Sequence, residues 1–292
     1  MKKLIPGLVL LSGCITQVPI DKNYPGPEPR PVHEKIKKEI HQQTLTTKEK
    51  KHFTLSKIKL QERIDLEYYK TNENNPTIIV LPQLKGLDFL ARYFATHFAK
   101  NDYNALFIRL NEQSKRLTVD NINDTVNNII EDHIIALDWL EQNYNIEQLG
   151  VMGISSGGLT ASILSGLEER IDAAILGVTG GDLPYIIMHS KVGTVQRIKK
   201  TALAKVNEEN LYSYLQDLIE HDPLKYAKNI DARNVLMILA NNDKCVPIKK
   251  GEELRKEIGY PRTIYLPTGH YTSAIYCPYL AREAVKFFNE KL

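Results

Sequence analysis

The sequence predicts an α/β domain built on a mostly parallel, twisted β-sheet with helices on both faces. Short runs of β-branched and other apolar residues occur at 77–81, 105–110, 149–154, 173–178, 235–240 and 263–266. These runs do not alternate with polar residues, which is typical of strands buried on both faces. Segments with helical spacing, at 88–100 and 119–143, separate the first of them. Strands and helices in alternation predict a parallel sheet covered on both sides.

Two segments depart from this rhythm. Residues 53–60 and 64–68 alternate between apolar and polar side chains, which predicts an antiparallel hairpin at the start of a domain spanning 52–292. Residues 182–233 intervene between two predicted strands, with helical spacing around 196–206 and 211–220. A connection of this length favours an inserted helical cap, and the alternative is an elongated pair of crossover helices.

The N-terminus has the pattern of an export signal. Lys2 and Lys3 precede an apolar run at 4–11, which ends in Leu11-Ser12-Gly13-Cys14. This ending resembles the lipobox of bacterial lipoproteins, in which the chain is cut before the cysteine and the new N-terminal thiol is acylated. We therefore expect residues 1–13 to be a signal peptide and Cys14 to carry a lipid. The alternative is an apolar start with a chance cysteine.

Residues 14–51 contain five prolines between positions 19 and 31 and a Lys/Glu-rich stretch after them. This composition predicts a Pro-rich, semi-rigid tether, which the expected lipid on Cys14 would anchor. The apolar run at 4–11 is too short to span a bilayer as a helix. The expected location is therefore that of an exported bacterial lipoprotein, anchored to a membrane and facing the periplasm or the cell surface.

The overall composition excludes little beyond nucleic-acid binding. The 292 residues are 42% hydrophobic and 25% charged, with a net charge of +3. Removal of Lys2 and Lys3 leaves 36 basic and 35 acidic residues, which gives +1. No basic field of the strength that nucleic-acid partners require remains. One α/β domain with an insertion accommodates a chain of this length.

The strongest chemical signal is Gly153-Ile154-Ser155-Ser156-Gly157, which matches the pattern G-x-S-x-G. It follows the buried strand residues 150–152 and opens a helix. A serine on so tight a turn has strained backbone angles, and the flanking glycines let neighbouring chain approach closely. Ser155 is therefore the predicted nucleophile, and a Gly/Ser loop that caps an ordinary helix is the alternative.

A serine nucleophile needs a base and a group that orients the base. Asp243 follows the strand at 235–240, and His270 follows the strand at 263–266. The carboxyl ends of parallel strands share one edge of the sheet, so these side chains should meet Ser155 there. Asp182, which follows the strand at 173–178, is the alternative acid.

Three segments together resemble the α/β-hydrolase superfamily: 153–157, 242–247 and Gly269-His270. Residues 222–227 resemble a segment of its dienelactone-hydrolase-like, esterase and prolyl-oligopeptidase-like members. The resemblance covers about residues 77–292 and implies a Ser-Asp-His triad. It also implies an oxyanion hole made by the N–H of Ser156 and one from the loop after the first parallel strand, where Gln83 or Leu84 is the candidate. The His-Gly motifs that many esterases carry in this loop are absent here.

Cys245 and Cys277 form an even pair in an exported chain, and we consider a disulfide between them alongside two separate thiols. No metal-ligand spacing is visible, and the chemistry requires no cofactor. The expected activity is hydrolysis of a small carboxylic ester through an acyl-enzyme. A peptidase or amidase on the same triad and an inactive surface-binding module are the alternatives.

Overall fold

The computed structural model describes residues 14–31, 39–83, 88–110 and 116–292. Their strands form one ten-stranded sheet: β1 (Thr16–Val18), β2 (Gln42–Glu49), β3 (Thr54–Leu60), β4 (Ile64–Lys70), β5 (Thr77–Leu81), β6 (Asn104–Ile108), β7 (Leu149–Ile154), β8 (Ala173–Gly177), β9 (Val235–Ala240) and β10 (Arg262–Leu266). The order across the sheet is β1-β10-β9-β8-β7-β5-β6-β4-β3-β2.

The six central strands, from β10 to β6, are parallel to one another. β5, β6, β8 and β9 are buried along their whole length, which explains why their sequences do not alternate. β3 and β4 form the predicted antiparallel hairpin, with Leu60 paired to Ile64, and β4 joins the parallel strands through β6.

Helices cover both faces of the sheet: α1 (Asp88–Ala99), α2 (Ile122–Asn143), α3 (Ser156–Leu167), α4 (Leu183–His189), α5 (Gly193–Leu203), α6 (Leu211–Leu218), α7 (Pro223–Tyr226), α8 (Ile248–Ile258) and α9 (Cys277–Lys291). α2, α3 and α8 pack on one face in a cluster that includes Trp139 and Val151. α1 and α9 pack on the other face with Phe94, Phe107 and Phe288. The predicted α/β fold with helices on both faces is confirmed.

The segment between β8 and β9 has a hydrophobic cluster of its own. Ile187 of α4, Ile198 of α5 and Leu215 of α6 pack together and against Leu117 and Ile122, which precede or begin α2. β8 and β9 are neighbours in the sheet, so this segment is an insertion above their connection. We refer to α4, α5 and α6 as the inserted helices.

Residues 14–51 differ from the predicted spacer because two of the ten strands lie there. β1 pairs with β10 at one edge of the sheet, and β2 pairs with β3 at the opposite edge. The Pro-rich segment between them follows the surface of the domain: the Tyr24 hydroxyl donates to the carbonyl of Ile230, and Arg30 donates to the carbonyls of Glu168 and Ile171. Composition predicts an extended chain here. It does not predict that hydrogen bonds to backbone carbonyls of the domain hold this chain against the surface.

The predicted signal peptide, residues 1–13, lies outside the described residues. Cys14 is exposed and stands two residues before β1. Thr16 pairs with Tyr265 in an antiparallel register, so Cys14 lies at the carboxyl edge of β10. Within the described ranges, no helix combines the length and the apolar character needed to cross a bilayer.

Candidate active site

Ser155 stands on the turn between β7 and α3, with backbone angles φ 59° and ψ −123°. A positive φ is costly for a residue with a Cβ, at about 1–3 kcal/mol, and here the close packing around the turn holds it in place. A Cβ on Gly153 would lie 2.0 Å from the carbonyl oxygen of Gly157. The turn therefore requires glycine at position 153, and it raises the Ser155 side chain above the carboxyl edge of the sheet.

The three side chains predicted as a triad form a continuous hydrogen-bonded chain. Ser155 Oγ lies 2.8 Å from His270 Nε2, and His270 Nδ1 lies 2.7 Å from Asp243 Oδ2. The Asp243 side chain is 3% exposed and that of His270 is 8% exposed, so water has little access to the bond between them. This is the geometry in which an imidazole accepts the hydroxyl proton while a carboxylate holds the opposite nitrogen.

Backbone hydrogen bonds fix Asp243 and His270 relative to each other. Asp243 Oδ1 accepts from the N–H groups of Cys245 (2.7 Å) and Val246 (2.9 Å), which leaves Oδ2 for the histidine. The Asn242 N–H donates to the carbonyl of Thr268 at 2.9 Å and ties the two loops together. Because β9 and β10 are parallel neighbours, both loops leave the same edge of the sheet.

Two of the three oxyanion candidates lie beside the nucleophile. Ser156 is the first residue of α3, and both Ser156 and Gln83 line the cavity that Ser155 faces. A Cβ on Gly157 would lie 2.7 Å from the carbonyl oxygen of Leu81, so the loop that leads to Gln83 passes directly over the start of α3. Leu84 lies outside the described residues.

Asp182, the alternative acid, has different partners. Its side chain accepts from the N–H of Tyr185 at 3.1 Å, and Lys250 Nζ donates to it at 2.5 Å. Burial lowers the pKa of Lys250, but the carboxylates of Asp182 and Glu253 outweigh that effect and raise it. Asp182 therefore belongs to a buried ion pair and starts α4, and its side chain hydrogen-bonds Tyr185 and Lys250.

A cavity of about 380 Å³ opens at Ser155 and His270. Nineteen of its 35 lining residues are leucine, isoleucine or valine, and they come from both the sheet domain and the inserted helices. α2 contributes Ile122, Val126, Ile129 and Ile130. The sequence indicated Ile122, Val126 and Ile129 only as part of a helical apolar stripe, a signal that does not separate a cavity wall from a packed core.

Cys245 and Cys277 are both buried and line this cavity, and no disulfide joins them; of the two alternatives left open by the sequence, the structure has the two separate thiols. An even count of cysteines carries no information about the distance between them, which a disulfide requires to be short. In the part of the chain that the structure describes, one set of possible metal ligands lies within 4.8 Å: Asp243, Cys245 and His270. Within that set, His270 Nδ1 and Asp243 Oδ2 already form a hydrogen bond with each other.

Residues 111–265 match the prolyl oligopeptidase family. The match spans just over half of the 292 residues and contains both Ser155 and Asp243. This chain belongs to the prolyl oligopeptidase family. It is a serine hydrolase of the α/β-hydrolase type.

Solved structures show the same fold at low sequence identity. Acetyl xylan esterase from Paenibacillus sp. R4 is 17% identical, with a TM-score of 0.69, and the match covers 87% of this chain and 90% of that one. Acetyl xylan esterase 1 from Thermoanaerobacterium sp. is 16% identical, with a TM-score of 0.62 and coverages of 85% and 91%.

Acylaminoacyl peptidase from Pyrococcus horikoshii is 18% identical, with a TM-score of 0.58. The match covers 88% of this chain but 42% of that larger protein. A search of the curated proteins gives no match.

Proposed function

We propose that this chain hydrolyses carboxylic esters through an acyl-enzyme formed on Ser155. The observation that carries the proposal is the hydrogen-bonded chain from Ser155 Oγ through His270 to Asp243. A serine hydroxyl is a weak nucleophile at neutral pH, and an adjacent imidazole within hydrogen-bonding distance is the usual means of activating it.

In the first half-reaction, His270 Nε2 takes the proton from Ser155 as Oγ attacks the ester carbonyl carbon. Asp243 holds Nδ1 and stabilises the imidazolium. The carbonyl oxygen becomes an oxyanion, for which the N–H groups of Ser156 and Gln83 are the proposed donors. When the tetrahedral intermediate collapses, the C–O bond to the alcohol breaks, and His270 returns the proton to the departing alcohol.

In the second half-reaction, His270 takes a proton from water, whose oxygen attacks the acyl carbon. The bond to Ser155 Oγ then breaks, His270 returns the proton to Oγ, and the carboxylic acid leaves. Every proton is carried by His270, so no step requires a metal ion or an organic cofactor.

A fluorophosphonate probe tests the nucleophile. We expect the wild-type chain to be labelled and Ser155→Ala to remain unlabelled. Ser213→Ala, which removes the hydroxyl of an exposed serine on α6, is the matched control and should label like the wild type. Equal labelling of Ser155→Ala and wild type would refute the role of Ser155, and no labelling of the wild type would favour an inactive binding module.

Peptide or amide hydrolysis on the same side chains is the second candidate, and membership of the prolyl oligopeptidase family favours it. The two activities separate in a panel that compares aryl esters with peptide amides of matched acyl groups. We expect ester hydrolysis to exceed amide hydrolysis in kcat/KM, and the opposite order would assign the chain to the peptidases.

We further infer that Cys14 is the attachment point of a lipid. Support comes from Leu11-Ser12-Gly13-Cys14 and from the exposure of the cysteine. Cys14 lies at the carboxyl edge of β10, the edge from which His270 follows, so a lipid there would bring a membrane to the side of the sheet that carries the site. Metabolic labelling with a radioactive fatty acid should mark the wild type but not Cys14→Ser; equal labelling of both would exclude this cysteine.

A further inference from the structure

The cavity at Ser155 differs in chemistry from a site for peptides or sugars. Among the described residues, no aspartate, glutamate, lysine or arginine lines it. Apart from Tyr271 and the two cysteines, its nine polar lining residues include Ser155, Ser156 and His270, which already serve the proposed chemistry. A peptide or sugar needs hydrogen-bonding partners along its length, because its polar groups would otherwise be buried without them. An alkyl chain needs none.

The volume of the cavity sets the size of the chain. A buried apolar cavity of about 150 Å³ holds one benzene molecule, which has six carbon atoms. On that scale, 380 Å³ accommodates roughly ten to fifteen carbon atoms. An acetyl group would occupy only a small part of this volume.

Three exposed apolar side chains line the cavity or adjoin a residue that lines it. Phe89 and Tyr271, each 63% exposed, line the cavity. Ile275, 65% exposed, directly follows the lining residue Ala274. These are the three most exposed large hydrophobic side chains of the described residues, and we refer to them as the apolar rim. Exposed apolar groups that cluster at one place mark a surface for an apolar partner.

We propose that the substrate is an ester of a long, unbranched acyl chain and that the apolar rim contacts the lipid surface from which the substrate enters. The inference rests on the proposed ester hydrolysis at Ser155. The acyl chain lies among the aliphatic residues of α2, α3, α4 and α5, and the carbonyl carbon lies at Ser155. Phe89 and Tyr271 of the apolar rim also line the cavity, so an acyl chain that leaves the lipid beside them enters the cavity along apolar side chains.

Soluble p-nitrophenyl esters of increasing acyl length test the cavity. Burial of a methylene group is worth about a threefold gain in kcat/KM, so a rise of at least about a hundredfold is expected from acetate to decanoate. An enzyme that hydrolyses acetate fastest would overturn the inference and leave the proposed ester hydrolysis intact. An enzyme that hydrolyses no ester would refute the proposed function itself.

A pair of matched variants locates the chain. Val195 and Val206 are both half-buried and pack against the same cluster of the inserted helices, but only Val195 lines the cavity. Val195→Phe should lower kcat/KM for decanoate at least tenfold and change that for acetate less than twofold. Val206→Phe should leave the ratio of kcat/KM for decanoate to kcat/KM for acetate unchanged. Equal losses on both esters in Val195→Phe, or the same change of ratio in Val206→Phe, would overturn the assignment.

The rim is tested with p-nitrophenyl laurate in phosphatidylglycerol vesicles. Ile275→Ser should lower activity on the vesicles about fivefold or more and leave hydrolysis of soluble butyrate unchanged, because Ile275 does not line the cavity. Leu45→Ser is the control, since it removes an exposed leucine from β2 at the far edge of the sheet. Equal effects of the two variants on vesicles, or no effect of Ile275→Ser, would overturn the role of the rim.

Discussion

Asp182 and Asp243 follow the neighbouring strands β8 and β9, and each residue as a whole, backbone included, is 9% exposed. Asp243 accepts two backbone N–H groups with one oxygen and presents the other to His270. Asp182 starts α4 and pairs with Lys250 of α8. The same residue type, at the same edge and the same depth, thus joins the hydrogen-bonded chain to Ser155 in one loop and a structural ion pair in the other. The partner decides the role.

The largest effect that separates the two aspartates is expected from Asp243→Asn. An amide keeps the shape of the side chain but offers no negative charge to the imidazolium and favours the wrong tautomer of His270, so kcat should fall about 10³–10⁴-fold. Thermal unfolding should shift little. The measurement is steady-state kinetics on a soluble ester; a fall of less than tenfold would show that Asp243 is not the orienting acid.

Asp182→Asn should have the opposite profile. It leaves the Lys250 ammonium buried with Glu253 as its remaining carboxylate partner, which should lower the free energy of unfolding by about 2–3 kcal/mol. The kcat of the folded fraction should change less than threefold. Urea unfolding and kinetics on the same preparation measure both quantities, and a large loss of kcat would make Asp182 the acid instead.

A double variant sharpens the interpretation of Asp182 as a structural partner. Asp182→Asn together with Lys250→Met removes both charges of the buried pair, so no unpaired ammonium remains. We expect it to be more stable than Asp182→Asn alone by about 1–2 kcal/mol, and a double-mutant cycle gives the coupling. Purely additive losses would mean that the two side chains do not interact.

The smallest effect is expected from a histidine that, unlike His270, takes no part in the hydrogen-bonded chain to Ser155. His133 of α2 is 1% exposed, Nδ1 hydrogen-bonds the carbonyl of Ile129, and burial lowers its pKa to about 4. Between pH 6.5 and 4 the unfolded chain binds a proton that the folded chain does not, so stability from this group is present above pH 6.5 and is lost as the pH falls.

Because of His133, the free energy of unfolding of the wild type should be about 2 kcal/mol lower at pH 5 than at pH 7. His133→Leu should therefore show a smaller drop in the free energy of unfolding between pH 7 and pH 5 than the wild type does. The rate of ester hydrolysis at pH 7 should not change. An unaltered pH dependence of unfolding would show that His133 is not held in its neutral form by burial.

Most strands and helices could be predicted from the sequence, because a strand that is buried on both faces is a continuous run of apolar residues. The runs at 77–81 and 235–240 coincide with β5 and β9, and the predicted turn around Ser155 lies between the end of β7 and the start of α3. Residues 14–51 were not accessible in this way. β2 is exposed along its whole length, so it leaves no hydrophobic pattern, and only backbone pairing with β3 makes it a strand.

The sequence by itself determined the fold class, the order of the three predicted triad residues and their place at one edge of the sheet. It did so because strand burial, tight turns and chain order are local or topological properties. Tertiary structure decided which aspartate faces His270, whether two thiols are bonded, and that the apolar stripe of α2 lines a cavity with the inserted helices. These are distances between segments far apart in the chain, and composition and periodicity carry no distances.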